Sequence, residues 1–394
     1  MTENRPVCSQ IVIVGGGMVG AALACGLAQR GFTVTVVEAG APPVFDPASS
    51  PDLRISAISA GSVALLQRLE VWESVLAMRA FPYRRLETWE WEQAVVAFDA
   101  AMVGLPALGY MVENNVLQFA LWQRLQQLKI SVISSAVVTE LTPDDDGWGL
   151  TLDDGRRLHA GLVIGADGAS SRVRQLAGID VNSHEYAQHC MLISVQCAQP
   201  PGETTWQQFT PAGPRALLPL FDNWASLVWY DSPDRIYQLQ QMTMERLEEE
   251  IIRHFPKRAG RVVPLAAGAF PLIRRHARRY VLPGLALAGD AAHTIHPLAG
   301  QGVNLGYRDV DALIDVLTRA RDCQRVWTDE ETLLRYQRKR RFDNQLMQSG
   351  MDLFHVAFGN SLTLPGVLRN LAMKAAGCSG PLKRQLLRYS LGLW

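Results

Sequence analysis

The sequence predicts an α/β fold: a Rossmann-like nucleotide-binding domain, an inserted antiparallel-sheet domain and a helical C-terminus. Three observations predict it. Apolar runs at 11–14, 162–164 and 285–288 each end in a glycine-bearing turn, as buried parallel strands do. Residues 190–230 change character to four strand-like runs, with turns at Pro200-Pro201-Gly202, Pro211-Ala212-Gly213-Pro214 and Asp222-Asn223. From Gly302 on, the pattern is mostly helical. On this pattern the nucleotide-binding domain takes 1–80, 105–180 and 281–345, the second domain 81–104 and 181–280, and the helical C-terminal region 346–394.

The elements follow in order. After the strand at 11–14, glycines turn the chain into a helix expected from Met18 to Arg30, which Gly31 ends. A strand over 33–37 closes on Glu38 and completes one βαβ unit. The Pro-, Ala- and Ser-rich stretch 40–51 reads as a loop, 62–78 as one helix, 86–99 as β, 116–128 as a helix and 131–141 as one strand. A hairpin over 148–152 and 156–159 turns at Asp153-Asp154-Gly155. The runs 191–196, 204–209, 216–220 and 225–230 make the antiparallel sheet, and 244–254 is a helix.

Composition bounds the function. The 394 residues are 48% hydrophobic, enough for a large core and more than one domain. Formal net charge is +0, and aromatics do not interleave with basic patches, so nucleic-acid binding is discounted. The six cysteines form no Cys-x-x-Cys pair and no Cys/His metal spacing, so no metal site is expected and the thiols read as reduced, in the cytoplasm. No signal peptide and no run of about 18 apolar residues is seen, which leaves a peripheral contact with the inner membrane as the one membrane option.

Gly15-x-Gly17-x-x-Gly20 lies between a strand and a helix, the context a dinucleotide site demands. Gly15 permits the tight turn, Gly17 lets the backbone approach a pyrophosphate, and Gly20 lets helix and strand pack closely. Met18 and Val19 open the helix, whose free N–H groups favour phosphate. Glu38 stands where a carboxylate accepts from ribose hydroxyls and repels a 2′-phosphate. Two further turns, Gly165-Ala166-Asp167-Gly168 and Gly289-Asp290-Ala291-Ala292-His293, are each weak alone. All three in this order describe a protein wrapping one long dinucleotide from several sides, which points to FAD.

Residues 162–174 resemble the "DG" fingerprint, and 285–293 the "GD" fingerprint, of flavoprotein aromatic hydroxylases. Over almost its whole length the chain is similar to class A, single-component FAD monooxygenases of the para-hydroxybenzoate hydroxylase fold. Pro82–Trp91 and Phe221–Tyr230 extend the similarity to the ubiquinone-biosynthesis hydroxylases. The resemblance implies NAD(P)H as electron donor, O2 as co-substrate, and hydroxylation of a prenylated quinol through a flavin C4a-hydroperoxide. It implies that Asp167 and Gly168 line the pyrophosphate region, and that Gly289 and Asp290 reach the ribityl chain. The loop Pro297–Gly302, with Gly300, and the start of the next helix at Val303 and Asn304 then meet the isoalloxazine edge. Arg54 and Gln118 match cofactor-facing positions, and Val138 offers backbone to adenine.

No catalytic residue is identified from the sequence. His293 and His296 flank the flavin loop and are candidates for a base that deprotonates the quinol. Trp206, Gln208, Phe209 and Leu218 are expected to face the substrate. The basic run Arg335–Arg341 reads as a solvated helix face. The segment 362–394 reads either as packed on the main body or as a contact with a membrane or with a multi-protein ubiquinone-biosynthesis complex. The alternatives are a sister hydroxylase acting at another ring position, a flavin halogenase or prenyl reductase, and a non-catalytic FAD-fold protein. Against the halogenase, Gln93-Ala94 stands where Trp-x-Trp-x-Ile-Pro needs Ile-Pro.

Overall fold

The computed structural model describes residues 7–295, 302–358 and 380–393. It is a mixed α/β structure built on two large sheets. The nucleotide sheet runs, edge to edge, Val281–Leu282, Leu285–Leu287, Arg157–Gly165, Val7–Val14, Val34–Val37 and Ser131–Ile133. From Leu285–Leu287 onward its neighbours are parallel. Val14 pairs with both Gly165 and Val37, and Gly165 pairs with Leu287. The three glycine turns therefore leave one edge of one sheet, side by side, at the carboxyl ends of its strands. Ligands of open α/β sheets bind at that edge.

Helix Met18–Gln29 begins at the first turn. It is apolar all round, and Ala21 to Leu27 are all buried, as expected of a helix inside a core. A Cβ on Gly26 would strike Ile314, so the glycine sets how closely this helix crosses Gly302–Asp322.

The second sheet has the order His293–Thr294, Val262–Ala277, Val181–Cys197, Trp224–Asp231, Arg215–Pro219, Thr204–Gln208, Arg85–Trp89 and Val96–Asp99. Three short strands, Thr204–Gln208, Arg215–Pro219 and Trp224–Asp231, stand where the sequence suggests them, and the expected run 191–196 is the inner part of the long strand Val181–Cys197. The outer half of Val181–Cys197 and the whole of Val262–Ala277 are not legible. There Asn182, Ser183, His184 and Glu185, all exposed, pair with Ile273 to His276. A strand segment whose side chains on both faces meet water shows no apolar alternation. His293–Thr294 pairs with Arg275 and His276, so the third glycine turn runs directly into this sheet.

Other boundaries differ from expectation for local reasons. The helix expected over 62–78 is two, Ala60–Arg68 and Trp72–Met78, broken where Glu70 takes φ 58° and Val71 N–H bonds back to the Leu66 carbonyl at 2.9 Å. The strand expected over 131–141 breaks at Ser135, φ 53°, and resumes as Val138–Asp144. The break lets Ala136 N–H reach the Glu38 carbonyl at 3.1 Å, which brings residues 136–138 to the cleft. A small third sheet, Ile55–Ser59, Gly109–Glu113 and Phe81–Tyr83, joins the two large ones.

The basic run 335–341 is solvated on one side only: Arg335, Arg338 and Lys339 are exposed, as expected, and the other side turns inward. Tyr336 and Arg340 are buried within helix Glu330–Phe358, where Tyr336 donates to the Leu287 carbonyl at 2.7 Å. Residues 362–379 lie outside the described residues. Helix Gly380–Ser390 packs Leu387 and Leu391 against Tyr83, Leu108 and Met111 of the main body. No helix among the described residues is long and apolar enough to cross a membrane.

Candidate functional site

A cavity of about 900 Å³ opens at the strand ends, between the two sheets. The first turn gives it Gly15, Gly17, Met18 and Val19. Gly15 has φ +108°, and a Cβ there would collide with the Ala166 carbonyl, so only glycine lets the first and second turns approach. A Cβ on Gly17 would meet nothing, because it faces the open cleft. No side chain caps the helix behind it, so its first N–H groups remain available to an anion. Gly20 does not line the cleft: it lies under the Gly15 carbonyl and is a packing residue.

Glu38 lines the cleft and accepts from the N–H groups of Gly16 and of Gly40, the latter at 2.7 Å. A carboxylate has about four lone-pair sites, so room for ribose hydroxyls remains. Val138 also lines it. Gln118 does not. Its amide donates to the Gly16 carbonyl at 3.2 Å, beside the Trp122 indole at 2.7 Å, so both side chains hold the turn from behind. Trp122 was not legible, since nothing local in the sequence marks an indole that bonds to a loop 106 residues away.

Asp167 and Gly168 line the cleft, but the Asp167 carboxylate is turned inward. It accepts from Ser171 Oγ at 2.5 Å, Arg172 N–H at 2.6 Å and Val173 N–H at 3.0 Å, fixing the second turn. Arg174, 4% exposed, donates to the Ala291 carbonyl at 2.8 Å and the Ala169 carbonyl at 3.0 Å. It ties the second turn to the third. Burial lowers its pKa, with the nearby Asp167 opposing.

In the third turn Gly289 is left-handed, φ +59°, and packs on Val19 rather than lining the cleft. Asp290 lines the cleft and is exposed to its open space. Desolvation raises its carboxyl pKa, opposed by His293 and Arg54. Arg54 stands in the cleft wall, with Gly302 and Val303 at the start of the following helix. His296, Pro297 and Gly300 lie outside the described residues.

Asn304 is 1% exposed and does not reach the cleft. Its Oδ1 accepts from Ser59 N–H at 2.9 Å and Ser62 Oγ at 2.7 Å, and its Nδ2 donates to the Ala57 carbonyl at 2.8 Å. The helix start is clamped to the small sheet in this way. His293 is likewise behind the wall. Its Nε2 meets Asp309 Oδ2 at 2.6 Å, and Asp309 also accepts from Gly289 N–H at 3.0 Å and Arg340 Nε at 2.7 Å. Burial would raise the Asp309 carboxyl, but His293 and Arg340 outweigh it and hold it at about 2. His293 thus orients the third turn and has no path to a substrate oxygen.

On the sheet wall the alternation is one residue off the expected parity. Thr205 and Gln207 belong to the cleft face with Ala216 and Leu218. Gln208 and Phe209 do not line the cleft. The Trp206 indole packs into the opposite layer, against Trp89 at 5.6 Å, although the residue borders the cavity. The apolar seat is instead Leu192, Leu218, Val228 and Leu272, with Tyr230 and Cys190 in side-chain hydrogen-bond contact beside them.

These features fit FAD: open glycines at a helix start, an acid at the ribose position, and a second helix start across the cleft. A model of the FAD binding domain family matches residues 8–349. The chain belongs to that family. It is similar to 3-demethoxyubiquinol 3-hydroxylase of Escherichia coli (strain K12), 63% identical over 99% of this chain and 100% of that one. It is similar to ubiquinone hydroxylase UbiL of Rhodospirillum rubrum, 36% identical over 100% of this chain and 91% of the relative. Among solved structures, p-nitrophenol 4-monooxygenase PnpA from Pseudomonas putida DLL-E4 superposes with TM-score 0.79 at 20% identity, covering 98% of both chains. That likeness shows the shared fold. The family member is an FAD-dependent aromatic-ring monooxygenase.

Two outcomes follow. Arg174→Leu leaves the Ala169 and Ala291 carbonyls short of a donor. The cost is about 1–3 kcal/mol of unfolding free energy in urea, with FAD affinity weakened by about tenfold for each ~1.4 kcal/mol lost at the site. His276 is held at about 4 by burial, while its Nδ1 meets Gln348 at 2.8 Å. Below 6.5 the unfolded chain therefore takes up a proton that the fold resists, and stability falls as pH drops from 6.5 towards 4. Urea titrations across this window show a shallower fall for His276→Gln.

Proposed function

We propose that this chain hydroxylates the ring of a prenylated benzoquinol in ubiquinone biosynthesis, as 2-octaprenyl-3-methyl-6-methoxy-1,4-benzoquinol hydroxylase. The observation that carries this reading is 63% identity, end to end, to a 3-demethoxyubiquinol 3-hydroxylase. The cleft suits it. Bound FAD supplies electron uptake from NAD(P)H and activation of O2. The chain supplies the rest: the first turn and Glu38 hold the nucleotide, Asp290 faces the cleft from the third turn, and the sheet wall seats an oily ring. Leu192, Leu218, Val228 and Leu272 keep water from that seat. Burial raises the Tyr230 phenol, so it stays protonated beside that seat.

On the same reading the protein works in the cytoplasm at the surface of the inner membrane, where a multi-protein assembly of the pathway is a fitting partner. The support is the lipid character of the substrate, and the exposed Phe342, Leu346 and Leu386 on helices that also expose Lys339, Arg384 and Arg388.

FAD-loaded protein given demethoxyubiquinol, NADH or NADPH, and O2 yields a product heavier by one oxygen. Hydroxylation at a different ring position moves the enzyme to the sister activity, and no product on any prenylated quinol refutes the reading. In flotation, the protein rises with vesicles of phosphatidylglycerol and phosphatidylethanolamine. Protein that stays at the bottom of the gradient at low salt removes the membrane contact.

A further inference from the structure

The cleft has two chemically distinct ends. Its charged wall residues are Glu38, Arg54, Asp167, Arg172, Arg275 and Asp290, all on or beside the glycine turns. The opposite end is walled by Tyr83, Leu86, Leu108, Met111 and Leu218, with no charged side chain. That end is closed by the C-terminal helix, through Leu387, Ser390 and Leu391. Lys383, Leu387 and Leu391 are spaced by four, so they share one helical face. Leu387 and Leu391 are buried in the cluster of Tyr83, Leu108, Met111 and Leu220, whereas Leu386 on another face is 55% exposed.

This helix has only 11 residues, too few to be stable without partners. Its placement is specified by bonds to the main body. Gly61 N–H donates to the Leu391 carbonyl at 2.9 Å, which supplies the acceptor that the start of helix Ala60–Arg68 lacks from its own Ser59. A Cβ on Gly61 would crowd the same carbonyl. Arg308 donates to the Tyr389 carbonyl at 2.8 Å, and the Tyr389 hydroxyl donates to Asp343 at 2.6 Å. A helix seated so specifically over an uncharged arm of the active-site cavity is a wall of that cavity.

We propose that Leu387 and Leu391 form a subsite for the isoprenoid chain of the substrate, and that the C-terminal helix thereby selects quinols that carry a long apolar tail. The inference rests on the quinol reading above and adds where the tail lies. An extended hydrocarbon gains most where apolar surface leaves water and no polar group loses its partner. This arm of the cleft meets both conditions, and it is continuous with the seat for the ring.

The test compares full-length, FAD-loaded wild type with Leu387→Trp, which fills the arm, and Leu391→Ala, which widens it. Leu386→Trp on the exposed face is the control. Each protein is assayed with a decyl-substituted and a methyl-substituted benzoquinol, and binding of the two quinones is measured by tryptophan quenching. The expected result is a fall of about tenfold or more in the decyl-to-methyl ratio of kcat/KM, and of affinity, for Leu387→Trp. Leu391→Ala shows a smaller fall and Leu386→Trp none. Equal losses on both ligands, or the same fall in Leu386→Trp, overturn the proposal, because the helix then acts only on general folding. If wild type hydroxylates neither quinol, the substrate reading fails on its own. Decyl-quinone affinity then decides the subsite: a selective loss in Leu387→Trp sustains it, and none removes it.

Discussion

One close backbone approach governs this molecule. At Gly15 the chain comes so near the Ala166 carbonyl that no side chain fits between them, and the Gly15 carbonyl in turn leaves no room for one on Gly20. The approach follows from the sheet. Val14 and Gly165 are paired residues on adjacent parallel strands, and Ala166 N–H bonds to the Val14 carbonyl at 2.8 Å. Two turns that leave such strands in register must pass within contact distance. Glycine makes the pass possible, and the cleft is the space the two turns then share with the third.

Behind that space lies a buried polar web that keeps the third turn in place. Asp309 is fully buried and bonded to Gly289, His293 and Arg340, while Arg340 also pairs with Asp343. Asp343 receives the Tyr389 hydroxyl. A continuous line of hydrogen bonds therefore joins the flavin-side turn to the C-terminal helix. Buried ions of this kind cost more to desolvate than a well-packed apolar core. Their use here is geometric: each donor has one place to go, so the turn and the helix are placed relative to each other.

The two halves of the cleft obey different physics. The nucleotide end works with N–H groups, helix starts and a few carboxylates, which act over short distances and require backbone precision. The other end works by exclusion of water between the sheet and the small apolar cluster around Tyr83. Electron transfer and oxygen chemistry need both, since a ring in an apolar seat meets a cofactor held by polar contacts.

The sequence by itself determined the α/β order, the βαβ unit, three short strands and part of a long one in the second sheet, and the turns that line the cleft. These are local matters: a glycine at a turn, an acid at a strand end and alternating apolar residues leave their marks within a few positions. Tertiary structure alone decided which polar residues face the cleft and which hold it from behind. Gln118, Asn304 and His293 look like ligands in the sequence, yet each is turned towards backbone or a buried partner far away in the chain. The parity of the Thr204–Gln208 strand was likewise settled by its register with Arg85–Trp89 and Arg215–Pro219. So was the seat of Leu387 and Leu391, since which face of a side chain meets a cavity depends on what the rest of the chain has packed against the other.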